Sequence, residues 1–211
     1  MGTPAFAVAP LEQLLAAGAN IVAVVTTANK PAGRGQKLTE SAVKQFADAQ
    51  NIPVLQPTNL KDPEFLSQLS AYQADLFIVV AFRMLPIEVW QMPILGTFNL
   101  HASLLPQYRG AAPINWAIIN AEKETGVTTF FLKHQIDTGD IIFQEKISID
   151  TQDTAGSLHD KLMHLGAHLA VKTWQAIASN TAPNESQESI LANHQWTLDT
   201  LKHAPKIFKN D

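Results

Sequence analysis

An asparagine and a histidine stand two residues apart where a short apolar run ends, at Asn99 and His101. If the run is a strand, both side chains point to the same side of it, because side chains alternate along a strand. An imidazole can exchange a proton near neutral pH or donate to an oxyanion, and an amide can hold the same oxygen without changing charge. The pair alone is a weak signal, since a histidine at a strand end is more often a hydrogen-bonded structural residue.

A third candidate group is Asp137, which opens an Asp-Thr-Gly-Asp stretch between two predicted strands. A carboxylate beside an imidazole fixes the orientation of the ring and stabilises its charged form. Asp and Gly also form turns in their own right, so the residue types alone favour a purely structural role.

Two further segments could contact ligands. Residues 103–106 and 108–110 form a loop beyond a predicted strand, and such loops commonly contact ligands through main-chain groups. Residues 29–44 form a glycine-containing basic loop with four cations against one acid, which suits contact with a phosphate backbone. An ordinary connection and a solvated surface loop are the alternative interpretations of the two segments.

Alternating short apolar runs and helical patterns must position these groups. The runs at residues 20–27, 53–55, 74–81 and 97–100 predict buried parallel strands, because they are apolar nearly throughout. Residues 9–17, 40–50, the segment from Asp62-Pro63, and 114–121 predict helices. Residues 127–133 and 141–149 predict a further pair of strands, and residues 154–179 predict a long amphipathic helix. This order indicates an α/β fold with an open, mostly parallel sheet, which binds ligands at the carboxyl ends of its strands.

Composition and missing motifs narrow the classes of protein. The 211 residues are 46% hydrophobic and 16% charged with a net charge of −4, which is typical of a globular protein and argues against a surface covered in phosphate-binding residues. The chain has no cysteine, so thiolate nucleophiles and cysteine-ligated metals are excluded. It has no apolar run of membrane-spanning length and no glycine-rich nucleotide fingerprint, and its first residues do not show the pattern of a signal peptide. We therefore expect a cytoplasmic protein without a membrane contact.

Together these stretches resemble the folate-dependent formyltransferases over nearly the whole chain. The run NLHASLLPQYRGAAPINWAI, followed later by DTGDII, is similar to the catalytic core of that family. The opening MGTPAFAV and the loop KPAGRGQK are similar to the branch that acts on methionyl-tRNA. The resemblance implies a formyltransferase-type α/β fold, with a doubly wound, Rossmann-like, mostly parallel sheet and helices on both faces.

The resemblance also implies a reaction: transfer of a formyl group from 10-formyltetrahydrofolate to the amino group of initiator methionyl-tRNA, for translation initiation and without a metal. By resemblance, His101 donates to the oxyanion, Asn99 hydrogen-bonds it and Asp137 orients His101. The implied folate-binding residues are Ser103, Leu104, Leu105, Pro106, Phe82, Arg83, Met84 and Leu85. The implied tRNA-binding residues are Arg34, Lys30 and Lys37.

The family pattern further predicts how the chain is divided. Residues 1–180 are expected to form the catalytic domain, with its first strand missing before Met1. Residues 181–211 turn polar and aperiodic and are expected to be a tail or linker toward an absent C-terminal β-barrel domain. We expect a monomer.

Three other functions are consistent with parts of the pattern. A sugar-nucleotide N-formyltransferase shares the Asn, His and Asp, although the KPAGRG loop argues against it. A hydrolase that releases formate from 10-formyltetrahydrofolate needs no amine acceptor. A non-catalytic folate- or RNA-binding module has no need to keep Asn99, His101 and Asp137 together.

Overall fold

The computed structural model describes residues 1–32, 37–193 and 198–208. The chain divides into two compact units, Met1–Phe98 and Asn99–Asp211. The boundary falls inside one strand, the run that ends in Asn99 and His101, so the groups at the end of this strand belong to the second unit.

The described part of the first unit holds four helices after a short 3-10 turn. They are α1 (Val8–Ala16), α2 (Ala42–Ala49), α3 (Pro63–Ala71) and α4 (Ile87–Trp90). The helix start predicted at Asp62 is confirmed: Asp62 is the N-cap, Pro63 follows it, and the Asp62 carboxylate accepts from the Glu64 amide at 3.0 Å. Ser41 caps α2 in the same way, accepting from Lys44 N at 3.1 Å.

The strands of the first unit are short. They are β1 (Val24–Val25), β2 (Lys30–Ala32), β3 (Lys37–Thr39), β4 (Val54–Leu55) and β5 (Phe77–Val80), followed by the start of β6 (Thr97–His101). β1 and β4 pair in parallel, and Gly2 forms a parallel bridge with Val80. The prediction of a plain loop over residues 29–44 missed an antiparallel pair, since β2 lies against β3 with Lys30 opposite Thr39. Among the described residues β2 pairs only with β3, so it is an edge strand, where a proline is tolerated.

In the second unit, the end of β6 lies in one sheet with β8 and β9, in the order β6-β8-β9. Its elements are β7 (Arg109–Gly110), α5 (Pro113–Ile119), β8 (Glu124–Phe131), β9 (Ile141–Ser148), α6 (Ala155–Ala178), α7 (Gln187–Asn193) and β10 (His203–Ala204). The predicted strand pair is confirmed, since β8 and β9 run antiparallel with an irregularity between Thr129 and Phe130.

The long helix α6 supports the end of β6. A capping box at Thr154 and Ser157 starts the helix, and Leu158, Leu162 and Leu169 are fully buried, as the amphipathic pattern predicts. Gly166 lies against Leu100 so closely that an added Cβ would come within 2.9 Å of the leucine side chain. A glycine here lets the helix approach the strand that carries Asn99 and His101.

The polar sequence after residue 180 contains elements that the sequence did not predict. Glu185 and Ile141 exchange two backbone hydrogen bonds, α7 follows, and β10 pairs in parallel with β7. Only a few scattered positions of this segment are buried. Their spacing forms no repeating apolar pattern from which a helix or strand could be predicted.

Within residues 1–32, 37–193 and 198–208, no helix is long and apolar enough to cross a membrane. The same residues contain no group of three His, Asp or Glu side chains that could hold a metal ion.

Candidate active site

His101 is the last residue of β6 and is 7% exposed. Its Nε2 lies 2.9 Å from the carbonyl oxygen of Tyr108. Because a carbonyl can only accept, Nε2 carries a hydrogen and donates it. Nδ1 is therefore the ring nitrogen whose protonation can change.

Asp137 lies opposite that nitrogen, with Oδ2 3.8 Å from His101 Nδ1. The same Oδ2 accepts from the Gly110 amide at 2.9 Å, which fixes the carboxylate. The separation of 3.8 Å permits an ion pair but is longer than a hydrogen bond. The structure thus brings together two of the three residues predicted to be catalytic, although 36 positions separate them in the chain.

Asn99 presents an unsatisfied acceptor. Its Oδ1 is buried and has no hydrogen-bond partner among the residues that the structure describes. A buried polar atom without a partner is rare in folded proteins, because leaving one unpaired costs about 1–3 kcal/mol. The amide of Asn99 is therefore suited to a donor that a bound molecule supplies.

The loop after β6 is attached firmly to the sheet. Thr128 Oγ1 donates to Ser103 O at 2.6 Å and accepts from Leu105 N at 3.1 Å. Gln144 Nε2 donates to Leu105 O at 2.8 Å and to Thr128 Oγ1 at 2.9 Å. The Leu105–Pro106 peptide bond is cis. Sequence analysis missed Thr128 and Gln144; the only signal was a threonine pair inside a buried strand.

Leu105 belongs to the hydrophobic core of this unit. It is 1% exposed and lies in one cluster with Phe130, Ile141 and Ile190. Ser103 is also fully buried, and its hydroxyl donates to Gln107 O at 2.7 Å. The side chains of these two predicted folate-binding residues therefore shape the loop from beneath.

The carbonyl that receives the His101 hydrogen bond is held by the end of the chain. Tyr108 N donates to Lys202 O at 2.7 Å, and β7, which follows it, pairs with β10. The Tyr108 hydroxyl donates to Glu122, which Lys202 also contacts. Burial and the bond to Glu122 raise the pKa of Tyr108. These contacts hold Tyr108 in a left-handed backbone conformation, φ +61°, that is uncommon for a bulky residue.

The second predicted folate-binding segment lies in the first unit. Met84 is 72% exposed, whereas Leu85 is buried. The Arg83 guanidinium donates to the carbonyl oxygens of Thr58 at 2.9 Å and Pro57 at 2.5 Å, and its Cζ lies 5.7 Å from the centre of the Phe82 ring. Arg83 therefore fixes the segment to its own unit.

Two of the three predicted tRNA-binding residues fall on β2 and β3. Lys30 and Lys37 begin β2 and β3, respectively, and their side chains are not described. Arg34 lies outside the described residues.

Comparison with known proteins places this chain among formyl transferases. The formyl transferase family profile matches residues 1–174. A methionyl-tRNA formyltransferase of Azobacteroides pseudotrichonymphae is 58% identical over 99% of the chain. The chain spans 64% of that relative's length, which is less than two thirds.

Solved structures share the fold. An N-formyltransferase from Helicobacter canadensis, in complex with folinic acid and dTDP-3-aminofucose, is 25% identical with a TM-score of 0.66, over 97% of this chain and 69% of that one. Phosphoribosylglycinamide formyltransferase from Anaplasma phagocytophilum is 24% identical with a TM-score of 0.70, over 82% of each chain. The predicted α/β fold class is confirmed. With most of its length matched by the family profile, the chain belongs to the formyl transferase family.

Proposed function

We propose that this protein transfers a formyl group from 10-formyltetrahydrofolate to the amino group of methionyl-initiator tRNA. The observation that carries the proposal is the 58% identity to a methionyl-tRNA formyltransferase over 99% of the chain. The meeting of His101 with Asp137 at the end of β6, beside the unsatisfied Asn99, supports it.

The buried, unpartnered oxygen of Asn99 fits a site that binds a formyl donor and an amine. Formyl transfer from an amide nitrogen to an amine creates an oxyanion at the formyl carbon and needs donors and acceptors around it. Asn99 offers both, since its amide nitrogen donates to the formyl oxygen and its Oδ1 accepts an N–H of the attacking amine. The donor molecule supplies the formyl carbon and a leaving nitrogen, and the reaction uses no metal.

His101 acts through Nδ1. In its charged form the Nδ1–H donates to the oxygen that becomes negative when the amine attacks the formyl carbon. Nε2 remains bonded to Tyr108 O throughout, which keeps the ring in one orientation. A general acid or oxyanion donor of this kind contributes about 10²–10⁴-fold to the rate.

Asp137 offsets the positive charge of the protonated imidazole and takes part in the proton transfer. Its carboxylate, 3.8 Å from Nδ1, stabilises the charged imidazole. The attacking amine must lose one proton and the leaving nitrogen must gain one. Asp137 and His101 relay that proton, so no net proton is consumed.

The substrate contacts follow the family pattern. Folate contacts are assigned to Ser103, Leu104, Leu105, Pro106, Phe82, Arg83, Met84 and Leu85, and tRNA contacts to Arg34, Lys30 and Lys37. Of the first set, Met84 is exposed and Leu104 is half-buried, so these two are the ones proposed to contact folate directly, while the buried Ser103 and Leu105 hold the loop in shape. The division of the chain at residue 180, a monomeric state and a cytoplasmic location stay predictions.

A three-way assay tests the function. The protein and 10-formyltetrahydrofolate are incubated with charged initiator tRNA, with a dTDP-amino sugar, or with buffer alone, and a His101→Asn variant controls for contaminating enzymes. Formyl-methionyl-tRNA should accumulate only in the first reaction and only with the unsubstituted protein. Formylated sugar, or formate released in buffer alone, with no formylated tRNA, would refute the proposal.

A further inference from the structure

Gln187, the first residue of α7, lies beneath the candidate active site and is completely buried. It belongs to the polar segment after residue 180, beyond the part of the chain that the family profile matches. A fully buried amide needs partners for two N–H groups and for its oxygen. The identity of those partners indicates what the residue does.

Both donors of Gln187 reach the turn that carries Asp137. Nε2 donates to Asp137 O at 2.9 Å and to Gly139 O at 2.8 Å. This turn is constrained on its other side as well, because a Cβ at Gly139 would lie 1.5 Å from Phe131 O. Asp137 itself has a left-handed backbone, φ +54°, a conformation that surrounding contacts must hold in place.

The oxygen of Gln187 holds the other side of the site. Oε1 accepts from Arg109 Nε at 3.1 Å and from Arg109 Nη2 at 2.6 Å. Arg109 lies between Tyr108, whose carbonyl receives the His101 hydrogen bond, and Gly110, whose amide donates to the Asp137 carboxylate. Carbonyl oxygens on one side and a guanidinium on the other leave only one possible orientation for the amide.

These bonds close a ring around the pair of His101 and Asp137. His101 bonds to the carbonyl oxygen of Tyr108, and the Gly110 amide bonds to the Asp137 carboxylate. Gln187 then joins the Asp137 carbonyl oxygen to Arg109, which lies between Tyr108 and Gly110. We propose that Gln187 is a positioning residue that sets the geometry of Asp137 against His101 for the formyl transfer proposed above. It touches neither substrate nor reacting atoms, and it acts through the two segments that it joins.

Two substitutions distinguish the hydrogen bonds that Gln187 makes to the Asp137 turn from those that it accepts from Arg109. Gln187→Met keeps the size of the side chain and removes all four hydrogen bonds. Gln187→Glu keeps an acceptor for Arg109 but places an oxygen against two carbonyl oxygens. The control is Gln175→Met, the same change at an exposed position of α6.

The kinetic expectation is a loss confined to the chemical step. Gln187→Met should lower kcat about 10²-fold, as expected for a displacement of about 1 Å, with little change in either KM. Gln187→Glu should lose a similar amount at high pH and recover relative to Gln187→Met as pH falls, because its protonated carboxyl can again donate one hydrogen bond. Folded variants with the kcat of the Gln175→Met control, or with altered KM alone, would overturn the proposal. If the methionine variant does not fold, the glutamate variant decides.

A measurement without turnover keeps this proposal separate from the proposed function. The seven histidines can be resolved through the ¹⁵N shifts of their rings, with His101 identified by its loss in His101→Asn. The His101 shifts should move in folded Gln187→Met or Gln187→Glu protein and stay in place in Gln175→Met. Unmoved shifts would overturn the positioning role, whether or not the protein formylates tRNA.

Discussion

The two segments predicted to contact folate differ in how they are held. In residues 103–106, Ser103 O and both main-chain polar groups of Leu105 are bonded to the sheet, and Leu105 is part of the core. In residues 82–85, Met84 is 72% exposed. The same predicted role is thus assigned to one segment built into the fold and to one that offers a side chain to solvent.

Because of this difference, substitutions in the first segment should change the geometry around His101, and substitutions in the second should change the affinity for the ligand. A substitution in the segment built into the fold shifts the backbone next to His101, so it should act on kcat and on stability. A substitution at an exposed side chain changes only a contact with the ligand, so it should act on KM. The five predictions below begin with the residues in and around the built-in segment, go on to the exposed Met84 and end with Arg34.

The largest effect is expected at His101. His101→Ala removes the Nδ1 donor and should lower the single-turnover rate about 10²–10⁴-fold, the range for a general acid–base group. Rapid-quench measurement of formyl-methionyl-tRNA gives the rate. A rate equal to that of the unsubstituted protein would remove His101 from the mechanism.

Asn99→Ala should lower the same rate about 10²–10³-fold, as expected for the loss of one oxyanion donor. Because Asn99 Oδ1 has no protein partner among the described residues, the substitution should leave the melting temperature nearly unchanged. A large fall in melting temperature without a fall in rate would instead indicate a structural role.

Thr128→Val tests whether the loop is fixed by its hydrogen bonds. The change keeps the shape but leaves Ser103 O and Leu105 N without their partner, so the free energy of unfolding should fall by about 1–3 kcal/mol. Chemical denaturation measures this value, and kcat should fall in parallel.

Met84→Ala is the matched substitution in the exposed segment. It should raise KM for 10-formyltetrahydrofolate with little change in kcat or in the free energy of unfolding. If Met84→Ala lowers kcat and Thr128→Val does not, the contrast between the two segments is wrong.

The smallest effect is expected for Arg34→Ala, in the basic stretch between Lys30 and Lys37. Loss of one phosphate contact should weaken initiator tRNA binding and reduce the salt slope of log K by about one, with folate affinity unchanged. Titrations at several salt concentrations give the slope. Superimposable titrations would exclude the contact.

The sequence predicted the strands and helices that have a regular apolar pattern or a known start signal. Apolar runs located β5 and β6, the Asp62-Pro63 start located α3, and leucine spacing located α6. The family motif named Asn99, His101 and Asp137, and the structure places the last two 3.8 Å apart.

What the sequence could not predict depends on single side chains at long range. Thr128 and Gln187 have no motif, and each matters only because folding brings it to a backbone 25 or 50 residues away. The hairpin pairing of β2 and β3 was missed because Pro31 and the glycines after it are typical of turns.

Leu105 has a consequence for hydrogen exchange. Its amide is bonded to a buried hydroxyl, and its side chain packs with β8, β9 and α7. The amide can therefore meet solvent only when this cluster comes apart, and it should exchange as slowly as the centre of the sheet. The loop after β6 is thus expected to exchange as part of the cooperative core, although it is predicted to bind a ligand.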